Sequence, residues 1–287
     1  MISDITLGQF FPGRSPLHRL DPRTKIILSV LFIVAVFLAN NPVSFLAVTL
    51  FTFILVGISR ISVKVILKGI KPIVFILVFT AIINVLLTNG EGEALVSFWI
   101  IEIYKEGIIK AVFMALRVVL LIIGSSTLLT YTTSPISLTD GIESLLSPLK
   151  KLHVPVHLFA MMMTIALRFI PTLVEETEKI MNAQKSRGAD FSNGSLVKRA
   201  KALIPILIPL FVASFKRAEE LATAMECRCY RGDKNRTKLV KLSYKASDVL
   251  FLLFGIIFLS LLIFARFLPS YVEFQGKIFA VMFYDLR

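Results

Sequence analysis

Residues 26–59 read IILSVLFIVAVFLANNPVSFLAVTLFTFILVGIS. Two apolar runs, 26–40 and 43–59, flank Asn40-Asn41-Pro42, a tight cluster of helix-breaking residues. A helix that crosses a bilayer needs about 20 mainly apolar residues. The pair therefore reads as a transmembrane hairpin. Three further stretches of this kind follow at 72–89, 108–131 and 247–266. Two shorter apolar runs, 155–167 and 203–215, are closely flanked by charge. At about 13 residues each they are too short to span and suit re-entrant, interfacial or protein-buried helices.

Composition agrees with that reading. Of 287 residues, 56% are hydrophobic and 18% charged, against roughly 45–50% and about 25% in a typical soluble domain. Mean hydropathy is +0.79. These values exclude a disordered chain, a collagen-like fibre and a disulfide scaffold, and they argue against an ordinary soluble enzyme. The expected fold is an all-α polytopic membrane protein of about five transmembrane helices. The net charge of +13 is then explained by the cytoplasmic bias of Lys and Arg and by attraction to anionic lipid, not by nucleic acid. The two cysteines, Cys227 and Cys229, are too close in sequence for an unstrained disulfide. The chain opens without a basic start or an early apolar run, so no cleavable signal peptide is expected.

The connecting segments orient the spans. The start carries Arg14, Arg19, Arg23 and Lys25, and the link before the third span carries Arg60, Lys64, Lys68 and Lys71. The link after the third span is acidic, with Glu91, Glu93, Glu102 and Glu106 against Lys105. The positive-inside rule then puts the N-terminus in the cytoplasm. The expected organisation is a cytoplasmic N-terminal segment, 1–25, and a four-helix membrane region, 26–131. A cytoplasmic amphipathic region, 132–246, follows, then a fifth span, 247–266, and a tail, 267–287. The segment 132–246 holds 18 Lys and Arg against 10 Asp and Glu, so its sign agrees with a cytoplasmic position.

Inside that segment the chain repeats itself. Residues 170–188 superpose on 211–229 at an offset of 41: Glu178 falls on Glu219, Ala183 on Ala224 and Arg187 on Arg228. Ile170, Val174, Ile180 and Met181 match Phe211, Phe215, Leu221 and Ala222, an apolar stripe at helical spacing. Two amphipathic rods, about 171–188 and 211–229, are expected, each with an Arg in its last turn. Gly188 suits the left-handed conformation that closes a helix, and a cation suits the negative end of the helix dipole. A single Arg there would read as a cap. Two at one offset suggest two similar sockets, as a pair of homologous partner subunits would provide.

These motifs resemble the T component of energy-coupling factor transporters, the energy-coupling transmembrane protein. That family carries two short Ala-Arg-Gly-type motifs at the ends of cytoplasmic coupling helices. The first stands here as Ser186-Arg187-Gly188, the second as Cys227-Arg228-Cys229. Leu20-Asp21-Pro22-Arg23-Thr24-Lys25, just before the first span, is also typical of it. Neither triplet is a literal Ala-Arg-Gly, and Arg231-Gly232 is a rival register for the second. The repeat and the Ala224-Met225-Glu226 lead-in select Arg228, leaving Glu226 and Arg231 as auxiliary contacts.

The resemblance implies a non-catalytic coupling subunit in a bacterial-type plasma membrane. Its partners would be two homologous ABC-type ATPases, which hold the ATP and Mg, and a substrate-binding membrane S component that captures a vitamin or other micronutrient. No cofactor is expected in this chain. The two arginine-tipped helices would dock in grooves on the ATPases. A further amphipathic helix over 136–153, interrupted near Pro148, forms with Met161, Met162 and Met163 a soft apolar surface. Leu145 and Leu149 with those methionines are the candidate S-component contact, since Met tolerates repacking against different partners. Alternatives are a T component of a dedicated cobalt or nickel uptake system, and an integral-membrane enzyme or lipid-binding scaffold. Arg117, within the fourth span, calls for a polar partner inside the bundle. His153 and His157 are four apart but separated by Pro155, and Gly8–Ser15 has phosphate-loop spacing spoiled by Pro12 and two Phe, so neither is read as a site.

Overall fold

The computed structural model describes residues 10–88, 96–98, 101–189, 191, 195–230, 232 and 242–267. Its helices are α1 (Pro22–Leu38), α2 (Pro42–Ser59), α3 (Val63–Leu87), α4 (Lys105–Ser125), α5 (Pro135–Leu145), α6 (Val156–Ser186), α7 (Leu196–Cys227) and α8 (Ala246–Phe267). A π-helical turn, Ser126–Thr130, extends α4, and a 3₁₀ turn, Ser147–Leu152, follows α5. The sole sheet among the described residues is a small antiparallel hairpin, β1 (Val96–Phe98) and β2 (Ile101–Ile103). The helical architecture is the expected one. The described residues divide into two units, one of 10–134 and 242–267 and one of 135–232.

In the first unit, local chemistry sets the helix ends. Asp21 caps α1 by accepting the Arg23 N–H at 3.0 Å, with Pro22 preset for the first turn. Asn41 stands at the N-cap of α2 in an extended conformation, without a side-chain cap bond, and Pro42 is preset for the first turn, so the predicted hairpin turn lies between α1 and α2. The core is apolar and aromatic: Phe32, Val36, Val48, Phe51, Leu120 and Leu262 are all buried. Phe51 stacks on Phe258 of α8 with centroids 4.3 Å apart. Gly124 of α4 lies directly against the Phe32 ring, so α1 and α4 approach as closely as a missing side chain allows.

Five helices have at least 18 residues and are apolar enough to cross a membrane: α2, α3, α4 with its π turn, α6 and α8. Four of these match expected spans. The first expected span is α1, one residue under that length at 17. The third span is longer than expected. Lys64, Lys68 and Lys71, read as a basic link, sit exposed on the first turns of α3, where long side chains can snorkel to an interface.

The larger correction concerns the second unit. The short runs 155–167 and 203–215 are not separate helices. They are the start of α6 and the middle of α7, which have 31 and 32 residues and reach about 46–48 Å at 1.5 Å per residue. Pro171, Pro205 and Pro209 lie inside these helices without ending them. The expected rods 171–188 and 211–229 are therefore the distal halves of longer levers. The predicted amphipathic segment near Pro148 appears as α5 followed by the 3₁₀ turn, with Pro148 in the first turn of the latter.

Candidate functional site

The two levers end in the same backbone motif. At the end of α6, the Gly188 N–H donates to the Lys185 carbonyl at 2.9 Å and the Ala189 N–H to the Gln184 carbonyl at 3.0 Å. At the end of α7, the Cys229 N–H donates to Glu226 at 2.8 Å and the Tyr230 N–H to Met225 at 3.0 Å. Both are Schellman closures, in which crossed bonds satisfy the last free carbonyls. The C-cap residues are Arg187 (φ −89, ψ 8) and Arg228 (φ −90, ψ 15), in nearly identical conformations. The next residue is left-handed in both: Gly188 at φ 88 and Cys229 at φ 55. The 41-residue offset read from side chains is thus repeated bond for bond by the backbone.

Ser186, Arg187, Gly188, Glu226, Cys227, Arg228 and Cys229 are all exposed. Among the described residues, neither guanidinium meets a hydrogen-bond or ion-pair partner. Each tip therefore offers a flat, permanently charged fork with five donors, suited to a carboxylate or a pair of carbonyls. The Ser186 hydroxyl is engaged locally, donating to the Asn182 carbonyl at 3.1 Å. Arg231 lies outside the described residues.

Between the tips and the apolar halves, α6 and α7 pack together. The Arg217 guanidinium donates to the Glu176 carboxylate at 3.1 Å, both side chains part-buried. These two positions are also 41 apart, so equivalent points of the two levers touch. Sequence reading missed this pair, although the signal was present: in the superposed repeat, position 176 and position 217 carry opposite charges.

The same unit has an open apolar groove of about 460 Å³ along α5, the 3₁₀ turn and the start of α6. Leu149 and Met163, two of the predicted contact residues, line it with Leu138, Ile142, Phe159 and Leu167. Leu145, Met161 and Met162 do not. Leu145 and Met161 are half-buried beside it, and Met162 is exposed. Glu143, which also lines the groove, pairs through its carboxylate with His157 Nδ1 at 3.0 Å, both residues buried. Position 157 thus has an acidic partner fourteen residues upstream. Arg117 in the membrane unit donates to the Ala39 carbonyl at 2.9 Å and to Asn40 Oδ1 at 3.3 Å, closing the α1–α2 turn over the Phe45 ring. It acts as a structural arginine, a part-buried cation whose polar partners lie within the bundle.

Residues 13–239 match the CbiQ family, described as cobalt transport protein. The chain belongs to the CbiQ family. Similar relatives are the energy-coupling factor transporter transmembrane protein EcfT of Ruminiclostridium cellulolyticum, 57% identical over 87% of this chain and 92% of the relative. The proteins of the same name from Clostridium kluyveri (50%, covering 93% and 98%) and Bacillus subtilis (48%, covering 93% and 100%) align over nearly their whole length. The matched region contains both arginine tips, the Glu176–Arg217 contact and the groove. As a CbiQ-family member with five membrane-length apolar helices, the chain is a multi-pass, non-catalytic transport component.

Proposed function

We propose that this chain is the transmembrane coupling subunit of an energy-coupling factor importer. In this reading Arg187 and Arg228 dock two homologous ATPases, and the distal halves of α6 and α7 face the cytoplasm together with the N-terminus. The observation that carries the proposal is the equivalence of the two tips. Two exposed arginines sit at the same cap position of the same closure, on levers that touch at equivalent points. A pair of matched levers fits a pair of matched sockets. ATP-driven closure of the ATPases would then move the two tips together, and the stiff helices would carry that motion to their apolar halves.

The groove over Leu149 and Met163 is the surface assigned to the S component, whose substrate is a vitamin or another micronutrient. Lys64, Lys68 and Lys71 on α3 and Arg14, Arg19, Arg23 and Lys25 at the start support a cytoplasmic N-terminus. The family's description supports a second reading, a dedicated cobalt system. The curated relatives named for energy-coupling factor transporters favour the first.

The test is co-purification of the full chain with its ATPases and S component, together with uptake by the intact cells. Arg187→Ala and Arg228→Ala each weaken ATPase capture, and the double variant loses nearly all uptake. Full ATPase stoichiometry and full uptake in the double variant would refute the docking role. Competition of radiolabelled vitamins against cobalt separates the two readings of substrate.

A further inference from the structure

Within Leu20–Lys25, Asp21 and Lys25 join Asp248 in a buried polar cluster that the docking reading does not use. Lys25 is 2% exposed and Asp248 fully buried. The Lys25 ammonium donates to the Thr132 carbonyl at 2.8 Å and to the His18 carbonyl at 3.3 Å. Asp248 accepts the Asp21 N–H at 2.8 Å through one oxygen and the Lys245 N–H at 2.7 Å through the other. Asp21 in turn caps α1, and the Arg23 guanidinium lies over the Tyr244 ring at 5.3 Å. Asp248 and Asp21 are the carboxylates whose charge offsets the buried ammonium.

The position of this cluster along the chain is informative. The chain passes between the two units twice, after Ser134 and before Leu242. Thr132 stands two residues before the first passage. Tyr244, Lys245 and Asp248 stand just after the second. One cluster at the start of α1 therefore grips both connections on the membrane side. Burying two opposite charges is costly, and apolar packing would often serve stability as well or better. A directional hydrogen bond to the Thr132 carbonyl does something that apolar packing cannot, since it fixes where the outgoing connection leaves.

We propose that Lys25 and Asp248 form an anchoring clasp, which holds both connections so that lever movement is passed to the membrane helices instead of being lost in slack backbone. Lys25 is a positioning residue in this scheme. The inference rests on the reading of the chain as a coupling subunit.

The experiment uses the full complex and reads three quantities: assembled complex, ATP hydrolysis per complex and uptake per complex. Lys25→Met keeps ATP hydrolysis but lowers uptake per complex by about tenfold, the scale of a typical coupling interaction. Lys25→Arg, which keeps the charge and the donors, recovers much of it. Lys25→Met with Asp248→Asn also removes the charge of the buried carboxylate, which the single change leaves without its nearby cation. This double variant assembles in normal amount and still fails in uptake. Unchanged uptake per complex in Lys25→Met overturns the proposal, and so does recovery of uptake in the double variant. Failure of every variant to assemble also overturns it, because the cluster would then be a folding determinant only. If the unmutated chain captures no ATPases, the coupling reading falls and this proposal with it.

Discussion

Glu176 of α6 and Arg217 of α7 occupy equivalent positions of two repeated helices, and their side chains meet at 3.1 Å. Each stands eleven residues before its own arginine tip, Arg187 or Arg228. At 1.5 Å per residue, both arms run about 16 Å from the contact to the tip. Equal arms about one contact give the two tips the same leverage. A part-buried pair of this kind contributes only about 1 kcal/mol of stability. Its weight lies in fixing the register of one lever against the other.

Arg217→Glu sets two carboxylates against each other at the crossing. Uptake falls while the amount of folded protein changes little, because the pair is not fully buried. The exchange variant, Glu176→Arg with Arg217→Glu, restores uptake by restoring the attraction. Uptake that stays low in the exchange variant, measured per complex, would contradict a register role.

The tips separate charge from geometry. Arg187→Lys and Arg228→Lys keep the cation but lose the planar fork. Each weakens ATPase capture by roughly tenfold, about 1.4 kcal/mol, less than the 2 kcal/mol or more typical of a truncated hot spot. Binding titrations with solubilised protein check this. Equal affinities for Lys and Arg would show that charge alone is read.

The residue after each arginine is left-handed, but only Gly188 pays no steric cost for it. Cys229 at φ 55 carries a side chain into a region that costs roughly 1–2 kcal/mol. Cys229→Gly therefore tightens the end of α7, and Gly188→Val loosens the end of α6. Hydrogen exchange at the amides of residues 188–189 and 229–230 reads both, with protection rising in the first case and falling in the second.

Gly124 leaves no room for a Cβ against the Phe32 ring. Gly124→Val forces α1 and α4 apart and costs about 1–3 kcal/mol, the usual range for overpacking. Thermal unfolding in detergent shows the loss. Gly124→Val and Phe32→Ala together cost less than the sum of the two single losses, which a simple loss of helix propensity at position 124 would not allow.

The membrane helices were legible because their signals are local. An apolar run and an Asn-Asn-Pro turn each act within a few residues. The two arginine tips were legible for the same reason, since a repeat is visible by shifting the chain against itself. The groove was half legible. Leu149 and Met163 line it, whereas Leu145, Met161 and Met162 do not, because periodicity gives a helix face but not which part of that face a neighbour covers. Run length misled at α6 and α7, where charge flanking an apolar run looked like an end and was the continuation of one helix.

From residue order alone came the class of protein, the apolar helices that build it and the pair of matched arginine ends, all products of short-range chemistry. Tertiary structure alone decided the rest. It joined Asp21 to Asp248 across 227 residues, set Glu176 beside Arg217, seated Arg117 on the α1–α2 turn and brought Gly124 onto Phe32. Such pairings depend on how separate helices pack, and no local periodicity records which distant partner a buried charge will find.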